Sequence, residues 1–546
     1  MRRCWIAGLF ALGLGVAAAW AEPLYVDDDG AADPGPGDPL LSDPLEDGSL
    51  AHPFDALQEA LDAALPGTEV LVADGLYTGV GNRDLDFRGK ALTLRSLSGD
   101  PTLCIIDCGL AGRGFTFRSG ESRATVIQGF TIRTAFHAAS GGGLYCVQSG
   151  PTVRDCIITN CRAGAYGGAL YSTGNLSRPL LINCTLSNNT ANAGGGMYCA
   201  DGSWASLEAC TLADNVAPYG GGGYCRDVSR VNLTNCTLVR NRGTLGGALL
   251  CQISASPTLR NCLLGGNRAT RWGAGVMCAT GSSPWLIHCA LVGNVAGDDG
   301  GGVYARDASN PVLVGCTLTE NVSDLGGALS GAGESYLRVK NSIIWFNLPS
   351  AFNIVSGVLD VSYSDVFGGV AGVGNIDDDP LFIDPPGPGP DGAWGTLDDA
   401  YGDLRLSAGT RCIDAGDNAD PPRDELDVDG DECTTEPLPV DLAGCARYVD
   451  DPETDDLGRG SAPLVDMGAY EFGATAELPA TPCTGDVNCD GAVDESDVTP
   501  FVLALCNPPL HATLFPGCAL QTADLNNDGV LDFADINPFV AVLSER

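Results

Sequence analysis

A glycine-rich hexamer recurs at a fixed spacing and constrains this chain more than any other feature. Copies of a Gly-Gly-small-apolar pattern, once Gly-Ala-Gly, lie 26 or 27 residues apart. They begin at Gly141, Gly167, Gly194, Gly220, Gly246, Gly273, Gly300 and Gly326. A constant period of this length is typical of a stack of identical supersecondary units. We therefore expect a solenoid over this region.

Each repeat also carries a cysteine, two aliphatic residues and an asparagine at fixed offsets. One aliphatic residue lies three positions before the cysteine, and the other lies two positions after it. The cysteine positions are Cys156, Cys184, Cys210, Cys236, Cys262, Cys289 and Cys316, followed by Ser342. Five residues further on come Cys161 and then Asn189, Asn215, Asn241, Asn267, Asn294, Asn321 and Asn347.

The spacing within one repeat predicts strands rather than helices. Each repeat holds three short apolar runs separated by turn residues, and none has a ten-residue helical stripe. Three strands per turn, stacked in register, form a parallel β-helix whose coils rise by roughly 4.8 Å. Aliphatic ladders would fill its bore, and the asparagine amides would bond to the coils above and below.

This pattern resembles the right-handed parallel β-helix proteins of the pectin-lyase type, whose turns carry a similar asparagine ladder. It is also similar to the Gly-Gly-x-x-Tyr repeats of secreted and surface β-helix proteins, including polymorphic outer-membrane passenger domains. The resemblance covers roughly residues 75–375. A calcium-binding nonapeptide roll would need a nine-residue period with an Asp in each unit, and the sequence has neither.

The N-terminus is typical of an export signal. Arg2 and Arg3 precede an apolar run at residues 5–16, and residues 19–21 form a small-x-small cleavage pattern. That run is too short to span a bilayer, and no later segment reaches about 20 apolar residues. We expect a secreted or extracellular protein, with the cell surface as a further location, that lacks a transmembrane segment and is monomeric.

The charge and histidine content of the chain limit the ligands and partners that it can bind. The chain has 29 basic and 69 acidic residues, a net charge of -40. Basic side chains neutralise phosphates, so a nucleic-acid partner is excluded, whereas cations such as Ca²⁺ are attracted. Only four histidines are present and they do not cluster in the sequence, which argues against a histidine-based zinc site.

Two similar acidic loops in the C-terminal segment predict calcium binding. Each has oxygen-bearing side chains at loop positions 1, 3, 5, 9 and 12, with a glycine at position 6 for the sharp turn. A main-chain carbonyl at position 7 completes the set. The first loop offers Asp486, Asn488, Asp490, Ala492, Asp494 and Asp497, and the second offers Asp524, Asn526, Asp528, Val530, Asp532 and Asp535.

A matching apolar helix is expected after each loop. This duplicated loop-helix pattern resembles a dockerin module, a small α-helical domain related to EF-hands. The resemblance implies Ca²⁺ as the ligand and a cohesin-like protein as a partner. Position 12 is Asp where an EF-hand usually has Glu.

The fold class is therefore mainly β: a single-stranded right-handed parallel β-helix solenoid with a small dockerin-like C-terminal domain. A helix predicted at residues 53–65 would cap the N-terminal end of the stack. The expected divisions are a signal peptide at 1–21, an N-terminal cap and first coils at 22–100, the regular β-helix at 101–375, a C-terminal cap at 376–472, a linker at 473–482 and the dockerin-like domain at 483–546.

The cysteines admit two interpretations. A second series lies at Cys146, Cys199, Cys225, Cys251 and Cys278, and other repeats replace it with Ser172, Ala305 or Gly331. Replacement by small residues favours buried structural thiols, although disulfides between stacked coils stay open. Better disulfide candidates are Cys104 with Cys108, then Cys412, Cys433 and Cys445, and in the C-terminal domain Cys483, Cys489, Cys506 and Cys518.

Two outward rows could carry function. Tyr145, Tyr171, Tyr198 and Tyr224 would face out and could stack on sugar rings, or could simply stabilise the ladder. Asp201 and Asp227 occupy equivalent positions on neighbouring coils, which could suit a pair of catalytic carboxylates. Asp307 repeats the position further along, so ordinary turn chemistry is the alternative.

Two functions follow from these observations. The favoured hypothesis is a secreted, non-catalytic carbohydrate-binding, adhesive or surface-structural protein with a calcium-dependent docking module. The alternative is a polysaccharide lyase or glycoside hydrolase acting on an extracellular polysaccharide. The fold alone does not decide between them, because function resides in the site.

Overall fold

Three long parallel sheets form the walls of a solenoid, and the chain visits each of them once per coil. The computed structural model describes residues 22–27, 46–419, 421–424, 437–475, 487–488, 495–515, 518, 520–525 and 531–544. Sheets 1, 2 and 3 have 13, 12 and 11 strands, and every pairing within them is between successive coils.

The strands of the three sheets are short and evenly spaced. Sheet 1 contains Leu24–Val26, Glu69–Val72, Thr93–Ser96, Val126–Gln128, Thr152–Arg154, Leu180–Ile182, Ser206–Glu208, Asn232–Thr234, Thr258–Arg260, Trp285–Ile287, Val312–Val314, Ser335–Lys340 and Gly357–Ser362. Sheet 2 contains Gly75–Thr78, Cys104–Asp107, Thr131–Arg133, Ile157–Thr159, Thr185–Ser187, Thr211–Ala213, Thr237–Val239, Leu263–Gly265, Ala290–Val292, Thr317–Thr319, Ile343–Trp345 and Asp365–Val366. Sheet 3 contains Leu85–Asp86, Phe115–Phe117, Leu144–Val147, Leu170–Thr173, Met197–Ala200, Gly223–Arg226, Leu249–Gln252, Val276–Ala279, Val303–Ala305, Leu329–Gly331 and Phe352–Ile354.

Smaller elements complete the described structure. Short parallel strands before the glycine blocks are Phe136–His137, Arg162–Ala163, Arg242–Leu245, Arg268–Trp272 and Val295–Ala296, and an antiparallel pair is formed by Phe382–Asp384 and Asp403–Leu406. The α-helices are Leu57–Ala63, Val498–Cys506, Pro508–Leu514 and Ile536–Ser544. Single 3₁₀ turns lie at Glu495–Asp497, Leu520–Ala523 and Phe533–Asp535. None of the described helices combines the length and apolar character needed to cross a membrane.

The bore is filled by ladders of identical side chains, as the offsets predict. Leu212 pairs with Leu238, and Leu238 pairs with Leu264, in a parallel register. All three side chains are fully buried. Burial of a leucine contributes about 1.5–3 kcal/mol, so the ladder makes the stack a continuous hydrophobic core. The parallel β-helix prediction is confirmed.

A ladder of buried asparagines joins successive coils by hydrogen bonds. The backbone N and the side-chain Nδ2 of Asn215 donate to Oδ1 of Asn241 at 3.1 and 3.0 Å. The same Nδ2 donates to the carbonyl of Leu186 in the preceding coil at 2.8 Å. The side-chain pattern repeats from Asn189 to Asn347, and the ladder is buried. Each coil is thereby locked to the next at a turn that lies away from water.

The ladder cysteines are free, buried thiols. Cys210, for example, donates through Sγ to the carbonyl of Leu181 in the preceding coil, at 3.5 Å. Disulfide candidates outside the ladder are also thiols rather than disulfides, namely Cys104, Cys108, Cys412, Cys445 and Cys506. The disulfide prediction is wrong for these, and Cys433 lies outside the described residues. Cys104, Cys108 and Cys412 each direct Sγ to a different oxygen rather than to another sulfur.

The N-terminal helix packs on the first coils. It runs over Leu57–Ala63, shorter than predicted, and buries Leu57 and Leu61 within the core that fills the bore. The side chain of Asn82 accepts a hydrogen bond from the first backbone N–H of the helix, that of Leu57, at 2.9 Å. Leu65 is 67% exposed because the helix ends before it.

The segment expected to close the C-terminal end packs along the outer face of sheet 2. Ile343 and Trp345, which point away from the bore, form an apolar cluster with Cys412, Ile413 and Met467. Further along the solenoid, a Cβ added to Gly293 would overlap the ring of Trp394. We call residues 376–475 the terminal segment, and it forms one wall of the site described next.

Candidate functional site: a cleft between sheet 2 and the terminal segment

The corner between sheets 1 and 2 has the same backbone conformation in successive coils. The residue before each ladder cysteine, or before Ser342, has φ between 48° and 57°: Asp155, Asn183, Ala209, Asn235, Asn261, His288, Gly315 and Asn341. Asparagine, aspartate and glycine tolerate this left-handed conformation best. The turn therefore selects short polar residues and places them at one edge of the solenoid.

Two of these corner residues hold the terminal segment. Nδ1 of His288 lies 2.9 Å from the carbonyl oxygen of Val440. Nδ2 of Asn341 donates to the carbonyl of Asp417 at 3.1 Å, and Oδ1 of Asn341 accepts from the N–H of Asp417 at 2.8 Å. Corner side chains thus attach the terminal segment to the stack at two coils.

Asn261 occupies the same corner position but has no protein partner for its amide. Its residue is 3% exposed, and neither Nδ2 nor Oδ1 makes a hydrogen bond. An amide left unsatisfied in this way costs about 1–3 kcal/mol. Because the folded protein keeps this buried donor and acceptor despite their free-energy cost, they indicate a place for a ligand or for ordered water.

Asn261 lines a cleft of about 440 Å³ between the stack and the terminal segment. One wall is the corner and face of sheet 2, and the other is formed by the terminal segment. The lining residues are Asn235, Cys236, Thr237, Asn261, Leu263, Ala290, Tyr401, Gly402, Leu404, Leu442, Ala443, Gly444 and Tyr470. No carboxylate and no lysine, arginine or histidine is among these described lining residues.

Two tyrosines give the cleft aromatic and hydrogen-bonding character. Burial raises the pKa of Tyr401 to about 12, with Asp399 adding to the effect. Burial likewise raises the pKa of Tyr470 to about 12, with Asp441 the next cause. Both phenols therefore stay neutral near pH 7. Each can donate a hydrogen bond from an apolar ring.

Glycines in the stack allow the aromatic rings to lie against the backbone. Tyr401 stacks with Trp394 at a centroid distance of 6.3 Å. A Cβ added to Gly265 would lie 2.6 Å from the Tyr401 ring. Neighbouring coils carry Val239 and Val292 at the position of Gly265. The glycine therefore marks a place where the terminal segment approaches the stack closely.

An ion pair supports the cleft without lining it. Nε and a terminal nitrogen of Arg240 donate to the two carboxylate oxygens of Asp214 at 3.1 and 2.7 Å. This contact raises the pKa of Arg240, with the negative charge of Asp214 and the nearby Tyr401 as further causes. A bidentate pair of this kind is geometrically fixed, so it braces the solenoid surface beside Tyr401.

The predicted tyrosine row lies outside the cleft and is less open than expected. Tyr145 and Tyr171 are half-buried, but Tyr198 and Tyr224 are only 4% and 6% exposed. The expectation that the row faces solvent is therefore wrong for the latter two. Tyr166 covers Tyr198, with the rings stacked at 4.6 Å.

A second aromatic row, which the sequence analysis missed, is the exposed one. Tyr166 and Tyr219 are 38% and 48% exposed, and each forms a bridge with Ala193 of the coil between them. Both residues immediately precede a glycine block. That position is the signal in the sequence, although the tyrosines inside the strands form a more regular series.

Asp201 and Asp227 are corner residues of another turn. Their φ angles are 54° and 51°, and Asp307 shares this conformation at 54°. Oδ2 of Asp201 accepts from Oγ1 of Thr173 at 2.6 Å, whereas Oδ2 of Asp227 lies 2.6 Å from Nε of Arg226. The left-handed backbone explains the recurrence of Asp, as the turn interpretation expects. Neither residue lines the cleft.

A smaller pocket brings together two carboxylates that the sequence analysis did not identify. It has a volume of about 230 Å³ and is lined by Thr319, Glu320, Trp345, Phe346, Asp379, Leu381, Phe382, Pro385 and Pro386. Burial raises the pKa of Glu320. A carboxyl with a raised pKa beside a second acid and aromatic rings is an arrangement that acid-base chemistry can use.

The predicted calcium ligands fall partly within the described residues. Asp486, Asp490, Ala492, Asp494, Asn526, Asp528 and Val530 lie outside them. Among the rest, Oδ1 of Asp497 accepts from the backbone N–H groups of Val487 and Asn488 at 2.7 and 3.0 Å. In the second loop, Asp532 and Asp535 form a reciprocal capping box.

The helices that follow the two loops pack together. Phe501 and Phe539 stack at a centroid distance of 4.0 Å in a core that includes Val487, Ala504 and Leu525. Asp497 and Asp535, the last acids of the two loops, are fully buried. Their oxygen donors are of the type that Ca²⁺ prefers, so the residues present fit such an ion.

Comparison with known proteins identifies the fold. The model of a family described as "Right handed beta helix region" matches residues 105–264. A search of curated protein sequences finds no match. Among solved structures, the chain is similar to pectate lyase Pel9A, with 14% identity, coverage of 83% of this chain and 96% of that chain, and a TM-score of 0.41.

Two further solved structures share the likeness at lower scores. A rhamnogalacturonan lyase has 13% identity, coverage of 71% of this chain and 97% of its own, and a TM-score of 0.36. A pectin methylesterase from carrot has 12% identity, coverage of 62% and 89%, and a TM-score of 0.24. These identities and TM-scores are too low to transfer substrates or residue roles.

Proposed function

We propose that this chain is a secreted β-helix protein that binds neutral polysaccharide in the cleft without cleaving it. The observation that carries the proposal is the unpartnered, buried amide of Asn261 in an uncharged cleft between Tyr401 and Tyr470. An amide can donate to one sugar hydroxyl and accept from another. Tyrosine rings offer apolar faces for the C–H surface of a sugar.

The charge distribution favours a neutral ligand. The chain has a net charge of -40, which repels polymers rich in uronic acids. No cation lines the described cleft to offset that repulsion. Glycoside cleavage needs two carboxyl groups about 5–9.5 Å apart, and the described lining has none. The cleft chemistry therefore fits binding better than hydrolysis or lyase chemistry.

Export and docking belong to the same proposal. The N-terminal signal pattern supports secretion, and the two acidic loops support a calcium-dependent dockerin-like module. When bound, Ca²⁺ would be held by the side-chain oxygens of both loops and would stabilise them. A cohesin-like protein is the partner that this module would recognise. The tail would then hold the binding solenoid at a complex or surface.

A second function is favoured by the smaller pocket. Glu320 has a raised pKa and shares the pocket with Asp379, Trp345 and Phe346. Glu320, whose pKa is raised by burial, would be suited to donate a proton to a glycosidic oxygen, and Asp379 would serve as base or nucleophile. Hydrolysis at this pocket is the catalytic alternative to binding at the cleft.

Replacing Asn261 with alanine is expected to weaken polysaccharide binding about tenfold, because the loss of two neutral hydrogen bonds is worth about 1.4 kcal/mol. Affinity electrophoresis against xyloglucan, galactomannan, arabinoxylan and mixed-linkage β-glucan measures the change. Asn183→Ala is the matched control, since Asn183 has the same corner conformation but does not line the cleft. Tyr401→Phe tests the hydroxyl alone.

Several results would contradict the proposal. Equal affinities of the wild type and Asn261→Ala for these polysaccharides would show that the cleft is not the binding site. Binding of the protein to acidic pectins alone would show that the ligand is not a neutral polysaccharide. The same mixtures are also analysed for new reducing ends. If the wild type releases new reducing ends and Glu320→Gln does not, the function is hydrolysis at the smaller pocket rather than binding in the cleft.

Calcium binding by the tail is tested on the full chain. Asp486→Ala and Asp524→Ala, which change position 1 of each loop, are each expected to remove one bound Ca²⁺ in equilibrium dialysis, because a missing carboxylate leaves the loop one ligand short. Glu477→Ala, an acid of the linker, is the control and should retain the full number. Unchanged binding in both loop variants would refute the assignment.

A further inference from the structure

Three carboxylates converge in the terminal segment, away from the cleft lining and from the tail. One oxygen each of Asp414, Asp450 and Asp456 lies within 4.8 Å of the other two. Asp414 is buried, whereas the other two are exposed. Like charges at this separation repel one another, so the folded protein maintains an arrangement that is unfavourable without a cation.

The loop that carries Asp450 and Asp456 is fastened to Asp414 by its backbone. The N–H groups of Leu457 and Gly458 donate to the carbonyl oxygen of Asp414 at 3.0 and 3.1 Å. The N–H of Asp451 donates to Oδ2 of Asp414 at 3.1 Å. These contacts hold the acidic loop against the Asp414 carboxylate.

The remaining oxygen of Asp414 is an independent sign of a ligand. Asp414 is 0% exposed, and its Oδ1 has no hydrogen-bond partner. Within the described residues, none of the three carboxylates forms an ion pair with lysine or arginine. An ionised oxygen buried without a partner is costly, and a bound cation removes that cost.

We propose that Asp414, Asp450 and Asp456 bind a structural Ca²⁺ ion. Three carboxylates supply hard oxygen ligands with the charge to balance a divalent cation. The exposure of Asp450 and Asp456 leaves room for water to complete the six to eight ligands that Ca²⁺ takes. Mg²⁺ demands a nearly ideal octahedron, which an irregular loop anchored to a single buried acid suits less well.

The ion would tie the acidic loop to the part of the terminal segment that builds the cleft wall. The N–H of Asp414 donates to Oδ1 of Asp466 at 2.8 Å, and Tyr470 lies four residues further on. Calcium would therefore act as a clasp between residues 414 and 450–458. This role does not depend on what the cleft binds.

The number of bound Ca²⁺ ions distinguishes calcium held by the three carboxylates from calcium held by the two loops of the tail. The full chain carrying Asp486→Ala and Asp524→Ala serves as the background, so that the tail loops are weakened. Adding Asp450→Asn and Asp456→Asn is expected to remove about one Ca²⁺ equivalent in equilibrium dialysis. Glu453→Gln with Asp455→Asn is the matched control, because it removes two charges from the same loop outside the cluster. Equal ion counts with and without the Asp450 and Asp456 changes, or the same loss in the control, would overturn the proposal.

Asp414→Asn provides a second readout on the same background. Without calcium, this variant is expected to melt at or above the temperature of its parent, because the substitution removes charge repulsion while keeping an acceptor for Asp451 N–H. Added calcium should raise the midpoint of the parent by about 2–4 °C and leave Asp414→Asn unchanged. Equal shifts in both proteins would overturn the site, and an equal effect of Mg²⁺ would overturn the calcium assignment.

Discussion

Asn241→Leu is expected to destabilise the solenoid by about 5 kcal/mol, from about 1–3 kcal/mol for each of three buried groups, two N–H and one C=O, that lose a hydrogen bond. The backbone N–H and Nδ2 of Asn215 lose the oxygen that accepts from both. The carbonyl of Leu212 loses the donor from Asn241 Nδ2. Leucine is similar in size, so the loss is one of hydrogen bonds rather than of volume.

Thermal unfolding and amide hydrogen exchange measure this effect together. The midpoint should fall, and the amides of the coils on either side of Asn241 should exchange faster, since a solenoid is stabilised through its nearest neighbours. Asn232→Leu is the control: Asn232 lies on the outer face of sheet 1, where Leu180 occupies the equivalent position two coils earlier. Equal midpoints for the two variants would show that the ladder contributes no more than a surface asparagine.

Asp365→Asn is expected to stabilise the protein at pH 8 and to have little effect near pH 4. Burial raises the pKa of Asp365 from 3.8 to about 7 in the folded state. The folded protein therefore holds this proton more tightly than the unfolded chain, and its stability falls as the pH rises from about 4 to 7. A shift of about three units corresponds to about 4 kcal/mol. Asparagine removes the charge and can still accept from the N–H of Asp378.

The measurement is the difference in unfolding midpoint between Asp365→Asn and the wild type at pH 4, 6 and 8. This difference should grow with pH in favour of the variant. Asp360→Asn, which changes an exposed carboxylate on a neighbouring strand, is the control for the replacement of Asp by Asn. A constant or shrinking difference for Asp365→Asn would mean that the carboxylate is not held protonated by its surroundings.

The stack could be predicted from the sequence because its contacts repeat at a fixed separation. Leu212 meets Leu238 for the same reason that Asn215 meets Asn241: each pair is 26 residues apart, one full coil. Strand alternation that turns Tyr145 outward points its neighbours Leu144 and Cys146 inward, and both are buried. A periodic sequence thus specifies its own neighbours.

The cleft could not be predicted in this way, because one of its walls has no period. Tyr401 and Tyr470 come from the terminal segment, whose position depends on individual contacts such as that between His288 and Val440. Some local signals were nevertheless present. Gly265 interrupts a row of bulkier residues where Tyr401 packs, and asparagine recurs before the ladder cysteine where the backbone requires a left-handed turn.

The misplaced tyrosine expectation has a similar cause. Alternation correctly placed Tyr198 and Tyr224 on the side away from the bore, but a residue outside the bore is not always exposed. The bridging residue before each glycine block lies over that side, and Tyr166 covers Tyr198. Coverage by a neighbouring turn depends on how far the turn projects, which strand periodicity does not encode.

Because the terminal segment packs along the side of the solenoid, the number of coils can change during evolution without disturbing its attachments. The cleft and the attachments of the terminal segment involve coils from residue 235 onward. A duplication or loss of one 26-residue unit upstream of that point would extend or shorten the rod by about 4.8 Å. The half that carries the terminal segment would keep its geometry, so the length of the rod can vary among descendants while the cleft is inherited intact.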